Sequence, residues 1–478
     1  MRLRRSLALV ATAGVTLLAT LTAPATPAAA AGSAVVPIVM SNFSSTHPND
    51  AGSVRLRAIL RNTNQFALTT WYNETKNYDA QIGAYLTFGG TAEDNIRPPA
   101  AQAFGLAVSL KLGVYQTGNN SNPSPSATEA KTKTVRLISS LAYRHLVNTS
   151  GGWGNAWQSA HWAAFAGFAG WLMWDDLSTT DREYVRKMVE YEANRFNSYT
   201  VPYYRSATGA FLTPGDTKAE ENAWNAQVLQ VATAMMPTHP NYGTWMRKSA
   251  ELMISATARP SDVTSTTVVN GRTLADWLDG SNTNADGTMT NHDRVHPDYM
   301  EAISLNLHAG LTSSLAGKGT PRAALFNAGV VYDALVDLNF VVGQNPYAAD
   351  PRLTRTNAAP GGTIYRDGSS DIYYPNGNDW GTQRRMQFAT MDVFADAFGI
   401  DALASQKGAY WEQYHAQKVL DMQNRFTDRR TYLGAYNDVG SEDTYPGREE
   451  WVSHHAGWAY LARWIKYQNA FSISDQAY

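Results

Sequence analysis

Two stretches, Asn155 to Trp174 and Asn222 to Met236, each run the length of a helix without one Asp, Glu, Lys or Arg. A helix that is uncharged all round is buried all round. A chain with such segments must surround them with other helices. Between the two lies Thr180-Asp181-Arg182-Glu183, which reads as a capping box, followed by Arg186, Lys187, Glu190 and Glu192 on a solvent-facing stripe.

The same alternation runs through the chain. Apolar period and stop signals give twelve helical segments, 53–65, 97–115, 127–147, 155–174, 180–196, 220–236, 242–258, 298–315, 321–342, 384–398, 409–426 and 448–470, and no stretch shows convincing strand alternation. Even-numbered segments are nearly free of charge and odd-numbered ones are striped with it. Links after even segments are mostly short, as at 175–179 and 316–320, while several after odd segments are long: 67–96, 197–219, 259–297, 343–385 and 427–447. Antiparallel pairs follow, inner helices alternating with outer ones. The expected fold is all-α, an (α/α)6 toroid, complete or incomplete, forming a single domain over 51–478. A helical solenoid is the alternative, and the lack of a fixed-period repeat speaks against it. The long loops would gather at one rim, at the N-terminal ends of the inner helices. Loops of such length are usually functional, so the chemistry is expected there.

Three arginines between Arg2 and Arg5, an apolar run from Leu7 to Leu21 and the stretch Ala28-Ala29-Ala30-Ala31 have the parts of a secretory signal peptide over 1–31. The expected cut lies near Ala31, before an extension over 32–50. A membrane anchor is the competing reading; the run is short for one, and Pro24 and Pro27 follow it. The chain is thus expected to be secreted, with no membrane partner. A formal charge of −2, with both signs interspersed, offers no footprint for nucleic acid. The absence of cysteine excludes disulfides and thiolate metal sites. Many of the 14 Trp and 25 Tyr belong to the core, but such a surplus in an exported chain also fits a sugar cleft, where flat rings stack on pyranose faces.

Each long loop closes in a polar, aromatic cluster before an inner helix. The clusters are Glu93-Asp94-Asn95-Ile96-Arg97, then Trp153-Gly154-Asn155-Ala156-Trp157-Gln158 with His161, then Glu220-Glu221-Asn222-Ala223-Trp224-Asn225. Asp286-Gly287 leads through His292 and Asp293 to His296-Pro297-Asp298-Tyr299, and Tyr373 to Trp380 is followed by Arg384 and Arg385. The last is Tyr445-Pro446-Gly447-Arg448-Glu449-Glu450-Trp451 with His454 and His455. Any single Asp, Asn or Thr before a helix is more often a cap than a catalyst, and a lone Trp is usually packing. His145 and His308, inside helices, read as core or surface groups. Capping does not require His, Tyr or Arg, so their recurrence at one end of alternate helices points to chemistry. Six helix N-termini converging on one cleft would favour an anionic or strongly hydrogen-bonding substrate.

Within 286–299 two imidazoles and a phenol lie close together, the types needed for an acid and base pair. Removing a proton next to a carboxylate builds charge that an amide or a guanidinium stabilises. Asn222, Asn225, Arg97 and Arg384 are candidates for that task.

The run from Glu221 to Ile254, with Asn222 at a helix start, Met236-Pro237 at its end and Trp245 opening a charged helix, followed by Asp286-Gly287 and Tyr299, resembles the toroid of heparinase II/III-like and alginate polysaccharide lyases. The run from Asp286-Gly287 through His292 to Tyr299 is also similar to the hyaluronate and chondroitin lyase toroid. The resemblance implies β-elimination on a uronate, with Asn222 neutralising the carboxylate, Tyr299 and His292 moving the protons. Those families continue into β-sandwich domains, whereas this chain is expected to be helical almost to Tyr478.

Three readings follow. In the first, a polysaccharide lyase uses Tyr299 as base and acid with His292 or His296 as partner, Asn222 as neutraliser and Arg97, Arg384 or Arg385 as clamps. Trp153, Trp157, Trp224, Asn225, Asp379, Trp380 and Trp451 complete its substrate-binding set. In the second, an (α/α)6 glycoside hydrolase draws two carboxyls from Glu220, Glu221, Asp293, Asp298, Asp379 and Glu449. In the third, the chain binds a glycan without cleaving it. A polysaccharide or oligosaccharide is the expected partner in all three. No cofactor is expected and no metal is assigned: the loops hold Asp and Asn enough for calcium, but no spacing commits to a site.

Overall fold

The computed structural model describes residues 34–118, 123–380, 383–432 and 448–478. The expected signal segment and the turn Tyr445-Pro446-Gly447 lie outside the described residues. The chain is mostly helical. Its α-helices of nine or more residues, among the described residues, are α1 Ala51–Phe66, which runs on into a nine-residue π-helix, Ala67–Thr75, α2 Glu93–Lys111, α3 Ala127–Tyr143, α4 Ser159–Leu172, α5 Thr179–Asn194, α6 Ala219–Met235, α7 Tyr242–Thr257, α8 Ala302–Leu315, α9 Ala328–Val336, α10 Arg385–Phe398, α11 Gly408–Asn424 and α12 Arg448–Tyr467. Each expected segment has a helix in it. No helix among the described residues is long and apolar enough to cross a membrane.

The burial of the helices follows their charge. All of α4 is buried, and so is every residue of α6 except Glu221. On α5 the buried set is Val185, Arg186, Met188, Val189, Glu192 and Ala193, one stripe with charge around it. Packing follows the same division: α2 lies against α4, α4 against α6, α6 against α8, α8 against α10, α10 against α12, and α12 against α2 again. Each odd-numbered helix packs on even-numbered neighbours, α3 on α2 and α4, α5 on α4 and α6, α7 on α6 and α8. At the contact between α12 and α2, a Cβ on Gly105 would run into Ser453, so only glycine lets those two backbones come so close.

Several boundaries differ from the expected ones, and local chemistry explains them. The fourth helix starts at Ser159 rather than Asn155, because Asn155 takes a left-handed φ of 56° and turns the chain before Trp157. The segment 321–342 is split: a 3-10 turn, Arg322–Leu325, ends at Asn327, whose φ of 52° interrupts the path, and α9 is left with nine residues. The cap of α5 is Ser178, accepting from Asp181 N at 3.1 Å, not Thr180. Four ladders of two-residue strands also lie in the loops, too short to leave an alternating pattern: β1 Arg205–Ser206 with β4 Gly280–Ser281, β2 Val268–Val269 with β3 Arg272–Thr273, β5 Thr290–Asn291 with β6 Arg294–Val295, all antiparallel, and β7 Thr320–Pro321 parallel to β8 Ile473–Ser474.

Side-chain caps occur on three odd-numbered helices and are absent from α7, α9 and α11. Asp50, Ser126 and Ser178 cap α1, α3 and α5. None of α2, α4, α6, α8 and α10 has a side chain bonded across its N-terminus. The polar residues before these helices are therefore engaged elsewhere.

Candidate active site

The strands β5 and β6 pair Thr290 with Val295 and Asn291 with Arg294, leaving His292 and Asp293 as a two-residue hairpin turn. Both have positive φ, 50° and 58°, the conformation of a type I′ turn that normally takes Asn-Gly. A β-carbon in this region costs of order 1 kcal/mol, so a His-Asp pair there is held by its contacts. Asp293 donates its backbone N–H to the Gly215 carbonyl at 3.1 Å, and its carboxylate accepts from Arg352 at 2.8 Å. On the other side Asn376 accepts from Val295 N at 2.9 Å. The hairpin is thereby fixed between the loop before α6 and the loop before α10, with His292 at its tip.

Two residues on, Pro297 opens a 3-10 turn, Pro297–Glu301, that leads into α8 and turns Tyr299 back toward the hairpin. The phenolic oxygen of Tyr299 lies 3.1 Å from Nε2 of His292, and Nδ1 of His292 lies 2.8 Å from Oδ2 of Asp379. The second oxygen of Asp379 meets Nε2 of His296 at 3.1 Å, and Nδ1 of His296 is 3.4 Å from Asp298. With its proton on Nδ1, His292 satisfies both contacts: it donates to Asp379 and accepts from the Tyr299 hydroxyl. Tautomer follows here from the partners.

The charges of this chain are set by its neighbours. Burial alone would raise the pKa of Asp379, but His296, His292 and Arg294 outweigh it and hold the carboxylate well below its usual range. Burial opposes charge on His296, and the carboxylates of Asp298 and Asp379 outweigh it, raising its pKa. Burial drives Tyr299 well above the ordinary phenol value, and the Glu220 carboxyl adds to the shift. Glu220 is itself raised well above the usual carboxyl range, by burial first and by Glu301 second.

Around this chain is a pocket of about 450 Å³ lined by Glu93, Arg97, Trp157, Gln158, Glu220, Trp224, His292, Tyr299, Asp379, Trp380, Arg384 and Trp451. These residues come from the N-terminal ends of all six even-numbered helices or from the loops just before them. The guanidinium of Arg384 sits 3.4 Å from the Trp380 ring centre and 4.9 Å from that of Trp451, whose ring also faces Arg97 at 5.4 Å. Two arginines are thus stacked on indoles, with Arg97 also bonded to Glu93 and Gln158. Trp157 meets Trp224 edge-on at 5.0 Å and is 59% exposed, leaving an indole face open to the pocket. A neighbouring pocket of about 400 Å³ shares Trp157, Glu220, His292 and Tyr299 and adds Asp216, Lys218, Glu221, Asp293 and Arg352. The two form one cleft with the Tyr299–His292 pair at their junction.

Of the expected site residues, Tyr299, His292, His296, Arg97, Trp157, Trp224, Asp379, Trp380, Arg384, Trp451 and Glu220 are brought together, Glu221 and Asp293 lie in the adjoining pocket, and Asp298 stands behind His296. Five are not part of it. Asn222 is fully buried and donates to the Pro202 carbonyl and to Ser255 Oγ, each at 3.0 Å, so it ties α6 to α7 and does not face the cleft. Asn225 is buried beside Tyr199. Trp153 packs edge-on to His145 at 4.7 Å and donates Nε1–H to the Leu141 carbonyl. Arg385 points to the Ser370 carbonyl and Asp371. Glu449 accepts from the N–H groups of Thr431 and Tyr432, and burial pushes its carboxyl up to about 7. Helical periodicity turns four of them away, because a cluster adjacent in sequence spreads over every face of a helix, while Trp153 lies before α4 in a bridge with His145. His145, bonded to Glu192, and His308, bonded to Gln230, are core groups as expected. Arg294, Asn376 and Arg352 were missed, since nothing in sequence marks a loop residue as the brace of a distant hairpin.

Among the described residues, two groups of side chains could hold a metal ion: His292 with His296 and Asp379, and Glu301 with His454 and His455. Both offer two imidazoles and one carboxylate, a donor set for a first-row transition ion rather than for calcium, which takes oxygen ligands. No protein-family model and no curated protein matches the chain.

Proposed function

We propose that the chain is a secreted, carbohydrate-active enzyme, a polysaccharide lyase that cleaves a uronate-containing glycan by β-elimination on an (α/α)6 toroid. The toroid reading is supported by the closed run of even-numbered neighbours from α2 to α12 and back. The observation that carries the function is the 3.1 Å contact between Tyr299 and His292, backed by Asp379 and set between stacked arginines.

In this mechanism Nε2 of His292, left as the free lone pair of the ring while Nδ1–H is held by Asp379, takes the proton from C5 of the uronate. The C4–O bond breaks, a C4–C5 double bond forms, and Tyr299 gives its phenolic proton to the leaving oxygen. The imidazolium then returns its proton to the phenolate across the same contact, and the site is reset. A phenol whose pKa is raised suits the acid role better than that of base, so the two roles divide differently from the sequence expectation, in which Tyr299 takes both. Asn222 cannot neutralise the substrate carboxylate from its buried place between α6 and α7. Arg97, Arg384 and Gln158 line the pocket instead, as donors toward a carboxylate, beside Glu220, whose pKa burial raises well above the usual carboxyl range. Trp157 offers the stacking surface.

One further observation favours a hydrolase as the second reading. Glu220 and Asp379 line the same pocket with pKa values pushed in opposite directions, the pattern of a general acid and its ionised partner. Digestion of uronate-containing and neutral polysaccharides separates the two. An unsaturated, UV-absorbing product end supports elimination, and saturated sugars from active protein would overturn it. Binding without any product would support a glycan-binding protein.

A further inference from the structure

We propose that Glu301, His454 and His455 form a buried binding site for a first-row divalent cation of the zinc type, joining α8 to α12. The inference is independent of whether the cleft eliminates, hydrolyses or only binds.

Glu301 closes the 3-10 turn before α8, and His454 and His455 lie about two turns into α12. All three are buried, at 2%, 1% and 0% exposure, and one ligand atom from each falls within 4.8 Å of the others. Consecutive residues on a helix diverge by about 100°, yet these two imidazoles have ring centres only 4.2 Å apart. Trp451 and Trp458, before and after them on the helix, wall the pair in, with ring centres 4.8 to 5.6 Å from theirs.

Hydrogen bonding does not account for the cluster. Nε2 of His455 stands 3.0 Å from Oε1 of Glu301, but the angles are not those of a hydrogen bond, and both atoms are without a partner. Nδ1 of His454 and Nδ1 of His455 are also buried without one. Buried polar atoms are almost always satisfied, so Oε1 of Glu301, Nε2 of His455 and Nδ1 of His454, one ligand atom from each residue, together point to a missing occupant. A proton shared by Glu301 and His455 would serve one contact and leave the other nitrogens as they are. A cation accepts lone pairs from several directions at once. Ligands at about 2.0 to 2.2 Å on a tetrahedral ion lie roughly 3.3 Å apart, close to the observed approach of Glu301 to His455. Three protein ligands leave a fourth position for water.

The test measures metal content of the full chain, freed of metal with a chelator and titrated with Zn²⁺ alone, then with Co²⁺ as a spectroscopic probe. The expected result is one ion per chain, a tetrahedral Co²⁺ absorption and a higher Tm. Glu301→Gln, isosteric and neutral, should weaken binding at least tenfold, and His455→Ala should abolish it. The pair His292→Ala and His296→Ala should leave it unchanged. No stoichiometric ion would overturn the proposal, as would an ion lost from the His292 and His296 variant but kept in Glu301→Gln and His455→Ala. If His455→Ala fails to fold, Glu301→Gln and His454→Gln decide by the same readout. None of these measurements depends on turnover, so they stand apart from the test of the cleft.

Discussion

The Oη of Tyr299 lies 3.1 Å from Nε2 of His292, although the two residues belong to different local structures, a 3-10 turn and a strained hairpin tip. A phenol beside an imidazole whose other nitrogen is fixed by a carboxylate is an arrangement that can give and take a proton in one cycle. Tyr299→Phe removes one hydroxyl and leaves the ring packing with His296 and Trp380. Turnover should fall by roughly 10²- to 10⁴-fold with the circular dichroism and Tm nearly unchanged. A variant with wild-type rate would remove Tyr299 from the chemistry.

Asp379→Asn replaces a carboxylate that serves His292, His296 and Arg294 at once. An amide cannot hold both imidazoles as donors, so His292 loses its preferred tautomer. The rate should drop by roughly 10²- to 10⁴-fold, with a changed pH–rate profile. Loss of Tm without loss of rate would show that Asp379 only braces the loop.

Arg384→Lys keeps the charge but loses the flat guanidinium stacked on Trp380 and Trp451. Such a stack contributes about 0.5 to 2 kcal/mol, so KM for an acidic glycan should rise roughly 2- to 30-fold, and kcat should fall less. Equal effects on neutral and acidic substrates would separate Arg384 from carboxylate recognition.

The pKa of His296 is raised by Asp298 and Asp379 against the effect of burial. A group raised on folding contributes stability that is complete below its unfolded value, about 6.5, and is lost as pH rises through the folded value. Between neutral and alkaline pH the wild-type Tm should therefore fall by more than that of His296→Gln. Parallel curves for the two proteins would refute the linkage.

Asn222→Ala should cost about 1 to 3 kcal/mol of stability, because Ser255 and the Pro202 carbonyl lose their donor. The folded variant should turn over normally. A large loss of kcat at full folding would return Asn222 to the site.

Charge patterning in the sequence was enough to identify which helices are buried, and loop lengths the end at which the candidate site gathers. Asn155 to Trp174 has nowhere to go but the interior, and loop lengths fix the order of alternation. Loop clusters rich in His, Tyr, Trp and Arg mark the rim because capping does not call for them. Which way each residue faces is another matter. Asn222, two residues from Glu220, is turned by about 200° on a helix, and it meets Ser255 while Glu220 faces the cleft. Only tertiary contacts could decide that, since an all-buried helix has no polar face to set its rotation. The same holds for the positive φ of His292, which Gly215, Arg352 and Asn376 impose from distant loops. Local sequence determined the helices and their burial, and long-range packing determined which of their first residues meet.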